Sequence, residues 1–368
     1  GSFQMGQANG STGNTVVVEN NALYWNNSEV NIGYGSPSHN NTLVVSNGAS
    51  LRTGQIRVQY YGAGTNNRLY IMDGGSITQF QSSITIGEGA NSQTNLMVVS
   101  GNGSTFYGAG DINIGYGSPS WNNALIVSNN AVVRAYGTVR VQYQGAGTNN
   151  RLYVMDGGKL TNNNGELRIA EGASSHDNFA VVSGSGSRAY ASGELNVGYG
   201  GSSYNNKLIV SNGGVVENFG TIRSGYQGGA YSNQIIIASG GKFSNTAYNV
   251  SMNIGEQAGA YSNLLLVQDS GSVFYFKGAV NVGGGGNMNM IYINSNGLMI
   301  LDGNPTMTVN AAARVHLYGG TLETRNNYNI TYNPAVNFIV GDGAQQAKLG
   351  LHGGTHNFSA GHMVVNTN

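Results

Sequence analysis

The chain contains no cysteine. Its stability therefore cannot rest on disulfides, and thiolate metal sites are excluded. Proline is nearly absent, at 4 of 368 residues. Glycine is abundant, at 59, but follows no triplet period, which excludes collagen. Charge is scarce as well: 9% of residues, against about 25% in ordinary soluble domains. The 16 Lys+Arg balance the 16 Asp+Glu, so no basic field exists to attract nucleic acid or an anionic membrane. No apolar run reaches about 18 residues, and no signal-peptide core opens the sequence. The segment is expected neither to insert in a membrane nor to carry its own secretion address. No window of useful length shows a helical period.

What is present is a repeat. Its clearest copy runs from Ile112 to Val133, with near-copies from Val30 and Leu195. Looser copies start at Phe3, Ile56, Ile84, Val139, Leu167, Ile222, Met252 and Val280, giving eleven in all, 26–30 residues apart. A fixed period overrides the two-domain expectation that length alone would suggest. Each copy holds three short stretches of apolar–polar alternation. Ile112/Ile114, Leu125/Val127 and Ala131/Val133 are one set; Val139/Val141, Leu152/Val154 and Gly158/Leu160 are the next. Period-two alternation places one side of each strand inward, and the Gly, Asn and Ser clusters between them are turn chemistry. Three strands and three turns per copy make one coil of a parallel β-helix. A single coil cannot close a core, whereas stacked coils bury one another's faces. Parallel crossovers are overwhelmingly right-handed. The expected fold is thus an all-β, right-handed parallel β-helix, with residues 1–302 as regular coils and residues 303–368 as a less regular continuation. Eleven coils at about 4.8 Å per coil make a rod of roughly 50 Å before the tail.

Copies also recur in threes. Arg57, Arg140 and Arg223 are 83 residues apart, and Glu88, Glu171 and Glu256 stand one coil after them. Tandem duplication of a three-coil unit accounts for this.

One column stands out. Nine residues after the second inward position of the first strand stands an asparagine: Asn14, Asn41, Asn67, Asn95, Asn123, Asn150, Asn178, Asn206, Asn233 and Asn263, with Asn289 following a shorter turn. Stacked coils would place these amides above one another, each C=O accepting from the neighbour's NH₂. Asparagine also tolerates the left-handed backbone of a tight bend. This column is read as a structural ladder at a solenoid corner.

A second column consists of Arg57, Arg140 and Arg223 with Tyr60, Tyr143 and Tyr226. Inward apolar neighbours make the arginines outward-facing, as solvated charges in weak ion pairs or as an arginine–tyrosine face for glycans. Catalysis is hard to support. Asp73 and Asp156 recur about three coils, roughly 14 Å, apart, too far for the paired carboxylates of glycoside hydrolysis. Asp269 and Asp302 are isolated. His352, His356 and His362 could look like a metal cluster, but His352 and His356, four apart in strand context, lie about 13 Å apart along one face, which suits solvated or turn histidines more than a metal site. No catalytic residue, metal or cofactor is expected.

The segments Leu43–Leu51, Leu125–Val133 and Leu208–Val216, of form Leu-x-Val-Ser-Asn-Gly-Ala-x-Leu, resemble passenger repeats of bacterial autotransporter-type surface proteins, above all those with autotransporter-associated β-strand repeats. The resemblance covers roughly residues 3–300. It implies a β-helix displayed or secreted outside the cell as a stalk, adhesin or matrix element. It would also imply a C-terminal membrane barrel, which this sequence does not contain. The expected function is an extracellular structural or adhesive solenoid, with glycans or cell-surface molecules as partners and end-to-end self-association through uncapped coils. The alternative is a carbohydrate-binding or polysaccharide-degrading β-helix, whose groove would fall at the irregular 243–251 insertion or in the tail.

Overall fold

A computed structural model of the chain describes residues 1–8, 10–358 and 363–366. The chain is all-β, a parallel β-solenoid of about thirteen turns, with no helix among the described residues. It divides into two compact units, Gly1–Ser192 and Gly193–Asn368.

In the first unit the repeat copies pair in the register that their sequence alignment implies. Phe3 lies against Val30, Val30 against Ile56, Ile84 against Ile112, Ile112 against Val139 and Val139 against Leu167. The second strands stack likewise, from Thr15–Val18 through Leu96–Ser100 to Phe179–Ser183. Alternation sets the core: Leu152 and Val154 are buried, while Arg151, Tyr153 and Met155 between them are half-exposed. In two coils the third strand of one turn runs straight into the first strand of the next, as Leu23–Ile32 and Ser50–Val58, with a bulge between Asn26 and Glu29.

The second unit is built the same way. Leu195 lies against Ile222, Ile222 against Met252, Met252 against Val280 and Val280 against Met307. Beyond residue 303 the coils continue, with Met307 against Ile330 and Ile330 against His356. There the interior is filled by Tyr328, Tyr332 and Phe338, all fully buried. These bulky rings join an aliphatic alternation that continues through Val315, Leu317, Leu322 and Ile330.

The asparagine column is a ladder with two bonds per step. In the first unit, both the backbone N–H and the side-chain amide of Asn95 donate to Oδ1 of Asn123, each at 3.0 Å. Asn123 repeats this to Asn150, again at 3.0 Å. The series runs Asn14, Asn41, Asn67, Asn95, Asn123, Asn150, Asn178. In the second unit it runs Asn206, Asn233, Asn263, Asn289. The spare amide hydrogen turns back to a carbonyl of the preceding coil, as from Asn150 to Ser120 at 3.0 Å and from Asn263 to Ala230 at 3.1 Å. The ladder stops where the next coil places Ala313 beside Gly283. One expectation is corrected. The left-handed residue of the bend is not the ladder asparagine but the residue before it: Asn40, Asn66, Thr94, Asn122, Asn149 and Asp177, then Asn205, Ser232, Ser262 and Met288, at φ between 53° and 61°. The ladder residue must keep its own N–H aimed along the stack, so the bend is displaced by one position.

The glycine that ends the first strand is required by this ladder. Gly33 has φ +81°, and a Cβ there would lie 2.5 Å from Asn67 Nδ2. Three coils depart from the pattern: Ala170 takes this position in one, at φ 63°, and glutamine in the other two. Gln59 and Gln142 occupy this position, keep φ at 67° and 64°, and turn their amides inward. Gln59 Oε1 accepts from Asn67 at 2.9 Å. Five residues on, where sister coils carry Ser38, Ser92 or Ser120, the glutamine coils carry Gly64 and Gly147. A Cβ on Gly64 would lie 1.8 Å from Gln59 Oε1. Where glutamine fills the first position the second is glycine; elsewhere the second is a small residue, such as Ser38, Ser92, Ser120 or Ser175, and in the second unit Ala230 and Ala260.

A second polar corner lies at the end of the third strand. Asn162 donates to the Glu166 carbonyl at 2.8 Å and Gln79 to that of Ser82 at 2.9 Å. In the second unit Asn245 donates to Asn218 Oδ1 at 2.9 Å. Its residue type changes from coil to coil, so no sequence column marks it.

Two outcomes are expected. Asn123→Ala should destabilise the chain by about 2–4 kcal/mol, since it orphans two buried donors of Asn95 as well as removing its own bonds. Asn14→Ala, at an exposed position that only donates, should cost less than half of that. Equal shifts in the thermal midpoint would contradict the ladder's role. Gly64→Ser should lower the midpoint, and adding Gln59→Gly should restore it. An additive double mutant would show that the two positions are uncoupled.

Candidate functional site

The three arginines of the super-repeat do leave the core side of their strands, but they are not solvated. Their side chains are 11–15% exposed. Each is clamped between one acid from the coil before and one from the coil after. Arg57 meets Glu29 at 2.8 Å and Glu88 at 3.0 Å. Arg140 meets Asp111 at 2.6 Å and Glu171 at 2.7 Å. In the second unit Arg223 meets Glu194, and Glu256 at 2.7 Å. The sequence spacing reveals the later acid. The earlier one escapes notice because it is Glu in two sets and Asp in the third.

A tyrosine closes each clamp. The guanidinium carbon of Arg57 lies 4.0 Å from the Tyr60 ring centre, that of Arg140 4.6 Å from Tyr143, and that of Arg223 4.7 Å from Tyr226. The intervening residues of the strand column are polar and buried too, including Asn31, Thr85 and Asn113. Thr85 Oγ1 donates to Glu88 at 2.7 Å. Burial pushes the Glu88 carboxyl up, against the pull of Thr85 and Arg57. Burial likewise opposes the charge on Glu29, but hydrogen bonds from Arg57 and Asn31 outweigh it and hold that carboxyl below its usual range. Burial would also lower Arg140, yet Asp111 and Glu171 raise it. A charged residue committed to two acids and a ring has little left to offer a sugar. What these columns present outward is the tyrosine cover: Tyr34 with Tyr60 and Tyr61, Tyr116 with Tyr143 at 5.0 Å, and Tyr199 with Tyr226 at 4.9 Å. Tyr60 is pushed up to about 12 by its hydrogen bond with Tyr61 and by burial.

A separate aromatic column runs beside the asparagine corner of the second unit. Tyr204, Tyr231 and Tyr261 stack face to face at 4.8 and 4.9 Å, with ring planes 6° and 2° apart.

The isolated acids are used locally. Asp73 and Asp156 hold left-handed turn positions at φ 51°. Asp269 accepts from the Ser239 N–H at 3.1 Å. Burial disfavours ionisation of Asp302, but hydrogen bonds from Tyr275 and Asn326 reverse this and lower its carboxyl. The His352 backbone N–H donates to Thr324 Oγ1 at 3.1 Å, and His356 Nε2 lies 2.9 Å from the Gly353 carbonyl. His362 lies outside the described residues. Among the described residues, no three His, Asp or Glu side chains come together to hold a metal.

The irregular 243–251 segment does border a groove. Tyr248, Asn249 and Val250 form one wall, Lys277 and Ala279 the floor, and Asn304 and Pro305 the far side, around an open volume of about 390 Å³. Tyr248 is 69% exposed. Lys277 Nζ donates to the Tyr248 hydroxyl at 3.2 Å and lies 4.9 Å from its ring centre. That hydroxyl raises the Lys277 ammonium. An aromatic face, an ammonium and two amides are the groups that bind sugar rings and hydroxyls.

No protein-family model matches the chain, and no curated protein does. Among solved structures it is similar to a crystal structure of a TibC-catalysed, hyper-glycosylated TibA fragment, at 18% identity and a TM-score of 0.41, covering 93% of this chain and 100% of that one. This likeness is too remote to carry an argument about function. The fold itself defines the class: a parallel β-solenoid.

If the clamps are structural, Arg140→Met should cost about 1–3 kcal/mol by leaving Asp111 without its arginine and Glu171 with Arg168 alone. Chemical denaturation would measure this, and an unchanged midpoint would mean that the clamp contributes nothing.

Proposed function

We propose that this chain is an extracellular structural or adhesive β-solenoid of the autotransporter-passenger kind, working through its surface and not by catalysis. The observation that carries the reading is the self-satisfaction of its polar columns. Asparagines bond to asparagines, and each super-repeat arginine bonds to two acids. Such groups specify and hold a surface and are not free to turn over a substrate. The outward face of the second-strand sheet is a column of partly exposed Val44, Tyr70, Val98, Ile126 and Tyr153, and in the second unit Ile209, Ile236 and Leu266, which suits many weak contacts over an extended face. Self-association belongs to the same reading, since parallel coils pair by their edges.

Displayed on a non-adherent bacterial host through a heterologous anchor, the chain should raise retention on host-cell monolayers or self-aggregation several-fold. The purified chain should release no reducing ends from pectin, alginate or xylan. Release above buffer would replace this reading with an enzymatic one.

The Tyr248–Lys277 groove favours a second reading, in which adhesion is to carbohydrate. Tyr248→Ala with Lys277→Met would then lower retention on glycan-coated surfaces while leaving the thermal midpoint unchanged.

A further inference from the structure

We infer that the end of the Tyr204–Tyr231–Tyr261 stack is a binding site for one neutral pyranose ring. The site is distinct from the Tyr248–Lys277 groove and does not depend on the adhesive reading.

The repeat serves as its own control. Three successive coils place a tyrosine at the same position, two residues before the ladder asparagine. The backbones pair there, Tyr204 with Tyr231 and Tyr231 with Tyr261. The rings stack with almost no tilt, so each covers the face of the last. The next coil continues the backbone column, because the Ser262 N–H donates to the Asn287 carbonyl at 3.1 Å. Yet its residue there is asparagine, followed one coil later by exposed Ala311. An asparagine side chain is much shorter than a tyrosine. The outer half of the Tyr261 ring therefore has a neighbour on one face only, and Tyr261 is 42% exposed although its stacked companions are half-buried.

The space left open is shaped by glycines. Tyr261, Asn287, Met288, Gly259, Gly285 and Gly286 surround a volume of about 340 Å³. Gly286 packs so closely on the coil beneath that a Cβ would lie 1.4 Å from the Ala260 carbonyl oxygen. No side chain can occupy the space from that position. Met288 forms the rim, 60% exposed, and its left-handed backbone at φ 56° is uncommon for methionine.

These features select the ligand chemistry. The open space lies against the Tyr261 ring at the end of the stack. A pyranose offers a flat C–H face to such a ring, and the Asn287 amide supplies a donor and an acceptor for its hydroxyls. Met288 adds a flexible apolar edge. No charged residue lines the slot, which favours a neutral sugar over a uronate or an amino sugar.

The test uses the whole chain and methyl glycosides of glucose, galactose and N-acetylglucosamine, with glucuronate as the charged comparison. Saturation-transfer NMR should show transfer to the C–H protons of one sugar face for at least one neutral glycoside. Asn287→Tyr would place a fourth ring in the slot. It should abolish transfer and leave the thermal midpoint equal or higher, which separates site-filling from misfolding. Tyr261→Leu should weaken binding at least fivefold. Absence of transfer from every neutral glycoside would overturn the proposal, as would transfer that survives Asn287→Tyr or preference for glucuronate. Loss of adhesion by the displayed chain with transfer intact would count against the adhesive reading alone.

Discussion

The structure depends on one hydrogen-bonded unit, the buried asparagine whose carbonyl oxygen receives two donors from the coil before it. A solenoid corner is a difficult place for a backbone. The strand hydrogen bonds are interrupted, the chain turns sharply, and the groups involved are shut away from water. An unmade bond there costs about 1–3 kcal/mol. The asparagine side chain is short enough to lie within the corner and has both a donor and an acceptor. One residue type therefore closes the accounts of two coils at once. The other corner features are set around it: a left-handed residue just before it, in most coils a glycine against its amide in the coil below, and opposite a small residue that becomes glycine where a glutamine fills the interior.

The charge economy follows the same rule. A chain that is only 9% charged uses several of its few ions in three-coil clamps under tyrosine rings. Attraction between parallel coils is mostly non-specific, so a slip by one coil would cost little in apolar burial. Acid, base and acid in fixed order on successive coils make such a slip costly, because it would leave the arginine and its acids without their partners. That is a specificity role for half-buried ions, in line with what such ions do in other folds.

Much of the candidate surface was legible before the fold was known. The column of Asn123 and its equivalents, the coil register and the later acids Glu88, Glu171 and Glu256 all follow from spacing, because parallel stacking turns a sequence period directly into spatial contact. Features that vary from coil to coil were hidden. The third-strand corner uses Asn, Thr, Gln, Gly and Ala in turn. The earlier acid of each clamp alternates between Glu and Asp. Periodicity finds what is repeated, whereas these positions repeat a role with different residues.

The sequence alone determined the class of fold, the pairing register and the ladder's membership, since each depends only on a two-residue alternation inside a fixed period. Only the tertiary structure decided how exposed a side chain is once a neighbouring coil covers it. Arg57, Arg140 and Arg223 face away from the core and would count as solvated in a single strand. In the stacked array they are enclosed by acids above and below and a ring in front. Tyr261 is the opposite case: it ends an aromatic stack and stays 42% exposed, where the next coil supplies the shorter Asn287. Outward direction is a property of the strand, and exposure is a property of what the adjacent coils place beside it.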